Sequence, residues 1–302
     1  MSTDASGGLK AGLDARLLGW ACLMVTAFGW GLGWPMIKII MEDWPPLFAR
    51  GTAGLAAAAG LLAVGAMRGD AIAPPPGSWR QLGLASFTSV FAWMGLTALS
   101  LLWLRVAECA LITFTMPIWA TLLAWPVLGQ RPDLRNWLAI ALGSGGLLVL
   151  FGARAEGAAD QLPGIALALT AAILFALGSV AFRRPVALTP LVRTGWLIGL
   201  GSAMMFLAGL LVALPDLGAL TWRGAGALTY MALFPMALCY LAWFAAAARL
   251  PVATASTGLL LIPIIGAVST AVLLGEPLGL RAAVAFALTL AGVAIAMRAT
   301  AD

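Results

Sequence analysis

The chain has 302 residues, of which 62% are apolar and only 10% charged, with a mean hydropathy of +1.01 and a net charge of +5. A soluble domain carries about 25% charged residues, so this composition excludes a water-soluble globular protein. The basic residues stand at the ends of apolar stretches and form no patch, which excludes nucleic acid as a partner.

Residues 1–16 form a polar tail with two acids among its basic residues. The apolar stretch behind it is of spanning length, so a cleaved signal is not expected. Uncharged stretches then follow at 17–37, 51–67, 81–104, 109–130 and 136–153. After a polar connection at 154–160 come 161–182, 194–215, 224–248, 250–275 and 282–297, and the chain closes on a short tail at 299–302. A bilayer core of about 30 Å is crossed by about 20 helical residues. Transmembrane strands would instead alternate over segments of about ten residues. The pattern predicts an all-α integral membrane protein of ten transmembrane helices, with the lipid bilayer as its first partner.

With a cytoplasmic N-terminus, the inside segments hold eleven Lys and Arg and the outside segments six, Lys38, Arg50 and Arg105 among them. The positive-inside rule then places both termini in the cytoplasm. Cys22, Cys109 and Cys239 lie in or beside apolar stretches without ligand spacing and read as small packing residues.

A shift of 146 residues aligns 104–146 with 250–292 without a gap. It matches Pro117 with Pro263, Gly129 with Gly275, Arg135 with Arg281 and Gly146 with Gly292. Thirteen of the 43 positions are identical, against about four by chance for so Ala- and Leu-rich a chain. Two five-helix repeats, 17–153 and 161–298, follow from this division. An odd number of spans reverses the second repeat across the membrane, the inverted arrangement common in secondary transporters.

Helix breakers and ring-bearing faces mark candidate site residues along the chain. Span 1 has Gly29, Gly31, Gly33 and Pro35 interleaved with Trp30 and Trp34. Span 3 offers Trp93, Thr97 and Ser100 at i, i+4 and i+7, and span 4 offers Thr113, Thr115 and Trp119. Span 6 has Phe175, Ser179 and Phe182, and span 8 has Met236, Tyr240 and Trp243. Rings with occasional hydroxyls suit an amphiphilic small molecule. Pro117 and Pro263, matched by the repeat, are expected hinges. Trp20, Trp44, Trp79, Trp137 and Trp222, near span ends, are assigned to interfacial belts.

Gly29-Trp30-Gly31, Lys38, Pro46 to Arg50, Pro117 and Leu128-Gly129-Gln130 in the first half resemble the drug/metabolite transporter superfamily, specifically its ten-helix EamA-type exporters. In the second half Ala255-Ser256, Pro263 and Leu274-Gly275-Glu276 do so more closely. The abundance of Trp and Met is similar to the YddG-type aromatic amino-acid exporters. The resemblance implies a multi-pass protein of a bacterial inner membrane that exports small amphiphilic metabolites, aromatic amino acids first and drugs second, with no metal or cofactor. Gln130 departs from the acid the family usually carries there. Its counterpart Glu276 keeps that acid, expected to cap the following helix or pair locally. A monomer is compatible with this plan, and the oligomeric state is left open.

No acid stands inside an apolar stretch, and histidine is absent. Proton-coupled carriers place such a group in the membrane, so facilitated diffusion is expected. No Lys or Arg is central either, which predicts a neutral path. An intramembrane enzyme would need clustered carboxylates or a Ser/His arrangement, and neither is present. A channel would present a charged ring or a carbonyl filter, and neither is legible.

Overall fold

The computed structural model describes residues 4–129, 131–151, 158–182, 186–250 and 258–299, and all their regular structure is helical. Helix α1 spans Asp4–Met41, α2 Pro46–Met67 and α3 Trp79–Ser100. Two shorter pieces follow, α4 (Val106–Thr113) and α5 (Met116–Leu128), and then α6 (Leu134–Phe151). The second half contains α7 (Ala158–Ala181), α8 (Pro190–Val212) and α9 (Trp222–Ala247), followed by α10 (Leu261–Leu274) and α11 (Leu280–Ala299). Seven helical stretches are long and apolar enough to cross a membrane, counting α4 and α5 as one. Three shorter apolar helices, within α6, α10 and α11, occupy the remaining predicted stretches. Ala255, Ser256 and Gln130 lie outside the described residues.

Local chemistry sets the helix boundaries. Pro46 and Pro190 open α2 and α8 at the first turn, where the missing N–H costs nothing. Thr221 caps α9 by accepting the Gly224 N–H at 3.0 Å. Gly129 and Gly275 end α5 and α10 in the left-handed region, at φ 72° and 69°, which favours a residue without Cβ. The start of α2 corrects one expectation. The helix extends the 51–67 stretch back to Pro46, so Arg50, counted with the outside segments, lies one turn inside it and not in a loop.

Small residues bring the helices together, as they must where lipid gives no hydrophobic drive for association. A Cβ on Gly51 of α2 would sit 2.5 Å from the backbone N of Phe206 in α8, and one on Gly209 of α8 2.6 Å from the backbone N of Phe48 in α2. Gly195 faces Leu62, and Gly65 faces Val192. A shift of 144 residues carries Gly51 to Gly195 and Leu62 to Phe206, so each contact has its mirror in the other half. The α6–α11 crossing behaves the same way under the 146-residue shift. Gly146 lies against Ala285 and Thr289, and Gly292 against Ala139 and Gly143.

One end of the bundle is tied by charge. Glu276, just after α10, accepts the Val106 N–H that begins α4 at 2.9 Å and pairs with Lys38 Nζ of α1 at 2.9 Å. Asp43 accepts from the Thr221 N–H and hydroxyl at 2.9 and 2.8 Å, and Arg223 reaches Glu42 at 3.2 Å. The expected local role of Glu276 is therefore corrected. It caps a helix 170 residues away in sequence, because the chain folds that helix start against the end of α10.

The interfacial tryptophans divide. Trp222 is 95% exposed, and Trp20, Trp79 and Trp137 are exposed too. Trp44 is buried against Phe48 and donates to the Asp216 carbonyl at 3.0 Å, so it is a packing residue. Cys109 and Cys239 are buried and unpaired, as packing residues should be.

Candidate functional site

Between the halves lies a cavity of about 400 Å³ whose wall is drawn from α1, α2, α3, α5, α7, α9 and α10 and from Phe114 at the break between α4 and α5. The α1 glycines explain how it is built. A Cβ on Gly29 would strike Cys239 of α9, and one on Gly31 would lie 2.6 Å from Ile265 of α10. Without them α9 and α10 could not close on α1, and Trp30 and Trp34 would not face the interior.

Two irregular stretches line the space. Phe87–Leu96 of α3 and Phe234–Leu238 of α9 are π-helical, at matching places in the two halves. Such widened turns are frequent at functional sites. The first carries Trp93 and the second Pro235 and Met236, all in the cavity wall. Trp30 donates its indole N–H to the Pro235 carbonyl at 2.7 Å and meets Tyr240 edge-on at 5.3 Å. Trp93 packs against Phe175 at 5.0 Å and Phe114 at 6.0 Å.

The fourth predicted span is broken at Phe114–Thr115, directly before Pro117, and α10 begins after a turn at 259–260, directly before Pro263. Each proline therefore sits in the first turn of a new segment rather than mid-helix, where its missing N–H is tolerated.

Of the residues singled out from sequence, Trp30, Trp34, Trp93, Thr97, Tyr240 and Trp243 converge on this cavity. Phe175 and Met236, which share those faces, line it too, whereas Ser100, Thr113, Thr115, Trp119, Ser179 and Phe182 do not. Ser100 is buried and bonds the Thr97 carbonyl at 2.7 Å and the Cys109 thiol at 2.8 Å. Thr113 bonds the Cys109 carbonyl at 2.8 Å. Thr115 donates to the Ile112 carbonyl at 2.6 Å and accepts the Trp119 indole N–H at 3.1 Å. Ser179 is exposed and bonded to the Ala176 carbonyl, and Phe182 lies at the turn after α7. In these six polar or ring positions, local hydrogen bonding or helix rotation wins over the cavity. Thr97 lines the wall while donating its hydroxyl to the Trp93 carbonyl at 2.6 Å.

The cavity also holds what the sequence reading missed. Met94, Met116 and Met231 join Met236 in supplying flexible apolar wall. More consequentially, Arg50 lines it. Its Nε is buried without a hydrogen-bond partner, and no hydrogen bond or ion pair joins the side chain to another described residue. The expected neutral path is corrected: a permanent guanidinium stands in its wall. An arginine inside a membrane helix is costly and almost always faces a cavity or the bundle interior. Pro46 at the helix start was the signal that could have placed it, since it moves the boundary four residues upstream. No carboxylate is among the described residues of the wall.

The EamA-like transporter family model matches the chain twice, at residues 17–152 and 162–298. The uncharacterized transporter YvbV of Bacillus subtilis (strain 168) is 24% identical over 257 residues, covering 83% of this chain and 82% of that protein. The uncharacterized transporter YoaV of the same organism is 19% identical over 239 residues, covering 78% and 82%. A solved crystal structure shares the fold with a TM-score of 0.66 at 20% identity, covering 96% of this chain and 99% of its own. The apolar helices and the family match over both halves agree: the chain is a multi-pass membrane protein of the EamA-like transporter family, a transporter and not an enzyme.

Proposed function

We propose that the protein exports small amphiphilic metabolites from a bacterial cytoplasm across the inner membrane, amino acids and above all aromatic ones, as the YddG-type exporters do. The observation that carries this is the ring-lined cavity of about 400 Å³ between the halves. Transport proceeds by alternating access between two five-helix repeats of opposite orientation, with both termini cytoplasmic. The doubled family match and the reciprocal glycine contacts support that symmetry. The paired breaks before Pro117 and Pro263 support a hinge at each, because a broken helix can bend without losing further hydrogen bonds.

The wall contains no described acid, which supports facilitated diffusion. Purified protein in liposomes is expected to equilibrate phenylalanine or tryptophan in a saturable way and to show counterflow. Accumulation of either against its gradient when only a pH gradient is imposed would refute uncoupled transport. Trp93→Ala and Tyr240→Ala are each expected to cut flux about tenfold, since a buried ring contributes about 1.5 kcal/mol or more, while the protein still elutes as folded monodisperse material. Wild-type flux in both would remove the cavity from the transport path.

The methionine-rich wall favours a second reading, a multidrug exporter, because such surfaces repack around unlike ligands. Arg50 weighs against lipophilic cations as its cargo. Flux of a lipophilic cation together with silence for every amino acid would decide for this reading.

A further inference from the structure

We propose that Arg50 is an anion subsite that pairs with a carboxylate on the transported solute, so that the substrate class is a monocarboxylate with an aromatic or apolar body. This rests on the transport reading above and narrows it. The hydrogen-bonding inventory of the cavity carries the inference. Besides Arg50, the described wall includes Tyr240, Trp34, Trp93 and Trp243, whose hydroxyl and indole N–H groups are donors. None of these is joined by a hydrogen bond to another described residue. Trp30 is the exception, its N–H being taken by the Pro235 carbonyl.

An indole N–H and a guanidinium can only donate. Among its described residues the wall is therefore rich in donors without a described partner, with one fixed positive charge and no carboxylate in return. A ligand complementary to it brings acceptors and a single negative charge at one end, and apolar surface elsewhere. A carboxylate matches the planar guanidinium through two parallel hydrogen bonds. A phosphate monoester, with about two charges, would find only one cation. A free ammonium finds no ion-pair partner, so the zwitterion is held by its carboxylate and its amine contributes little to recognition.

The test uses the full-length protein in liposomes at neutral pH with probes that share one ring and differ in the head group. They are 3-phenylpropionate, phenylalanine, phenylalanine amide, phenethylamine and phenyl phosphate. Protein-dependent flux over empty vesicles is measured with each, and binding is read separately as a shift of the thermal midpoint in detergent. The expected result is saturable flux of 3-phenylpropionate and phenylalanine, with the amide, amine and phosphate at least about tenfold slower. Arg50→Gln is expected to raise KM for the two carboxylates by about 10- to 100-fold without lowering the residual flux of the amide. Arg50→Lys, which keeps the charge but loses the fork, should fall between, and it serves if the Gln variant does not fold. Equal flux of amine and carboxylate overturns the anion subsite and leaves the transport reading standing. Neither flux nor a thermal shift with any member of the series overturns both.

Discussion

Replacing Gly51 with alanine is expected to destabilise the protein by about 1–3 kcal/mol, whereas Gly60→Ala on the same helix should stabilise it by about 0.5–1 kcal/mol. The two glycines have the same sequence character and opposite surroundings. A Cβ at position 51 meets the backbone N and Cα of Phe206 at 2.5 and 2.7 Å, while one at position 60 meets nothing within 4 Å. A side chain can rotate away from a new methyl group, but a backbone can yield only if the whole of α8 moves. Gly209→Ala, facing the backbone of Phe48 at 2.6 Å, should behave as Gly51→Ala does, and a leucine at either position should leave little folded protein. Thermal midpoints of the detergent-solubilised variants read these effects. Identical midpoints for the alanine variants at positions 51 and 60 would mean that the α2–α8 crossing does not limit stability.

Glu276→Ala is expected to cost about 2 kcal/mol, most of it from the loss of the α4 cap. Oε2 satisfies the Val106 N–H, and with Glu276 removed that helix start loses a charged acceptor at its positive end. The ion pair on Oε1 is the smaller part, because Lys38 and Glu276 keep 25% and 17% of their side-chain surface in solvent and such pairs contribute about 1 kcal/mol or less. Glu276→Gln retains an acceptor for the cap and removes only the charge, so it should lose less than half as much. Lys38→Met should resemble it. If the Gln variant fell as far as the Ala variant, the ion pair and not the cap would hold this end together.

The helical class, most span limits and the convergence of six of the twelve candidate residues on one cavity were legible because each rests on a local signal. Charge-free length marks a span, and ring residues at i, i+4 and i+7 mark a face. What failed was decided by local backbone bonding or by partners distant in sequence. Ser100, Thr113 and Thr115 read as cavity hydroxyls, but in an apolar interior a threonine or serine bonds the carbonyl one turn back unless a better acceptor is present, and here none was. Trp44 read as an interfacial ring because it stands at a span end, yet the loop bearing Asp216 folds over it. Arg50 was lost for a different reason. Counting spans by the absence of charge must exclude any charged residue from a membrane helix, so the one cation in the cavity wall was assigned to a loop by the rule itself. Nor could sequence show that Glu276 of the second half would cap a helix of the first, since only the packing of the halves brings them together.

A cavity that fills with water on either side during the cycle threatens the cell with a leak of protons along that water. Fixed positive charge at a constriction raises the barrier to hydronium, as an arginine does in water-conducting pores. On the proposed carrier cycle, Arg50 in the cavity wall gives insulation as well as recognition. It then keeps the proton-motive force intact beside a wall whose described residues include no carboxylate. Liposomes bearing Arg50→Gln should dissipate an imposed pH gradient faster than the wild type, even with no solute present.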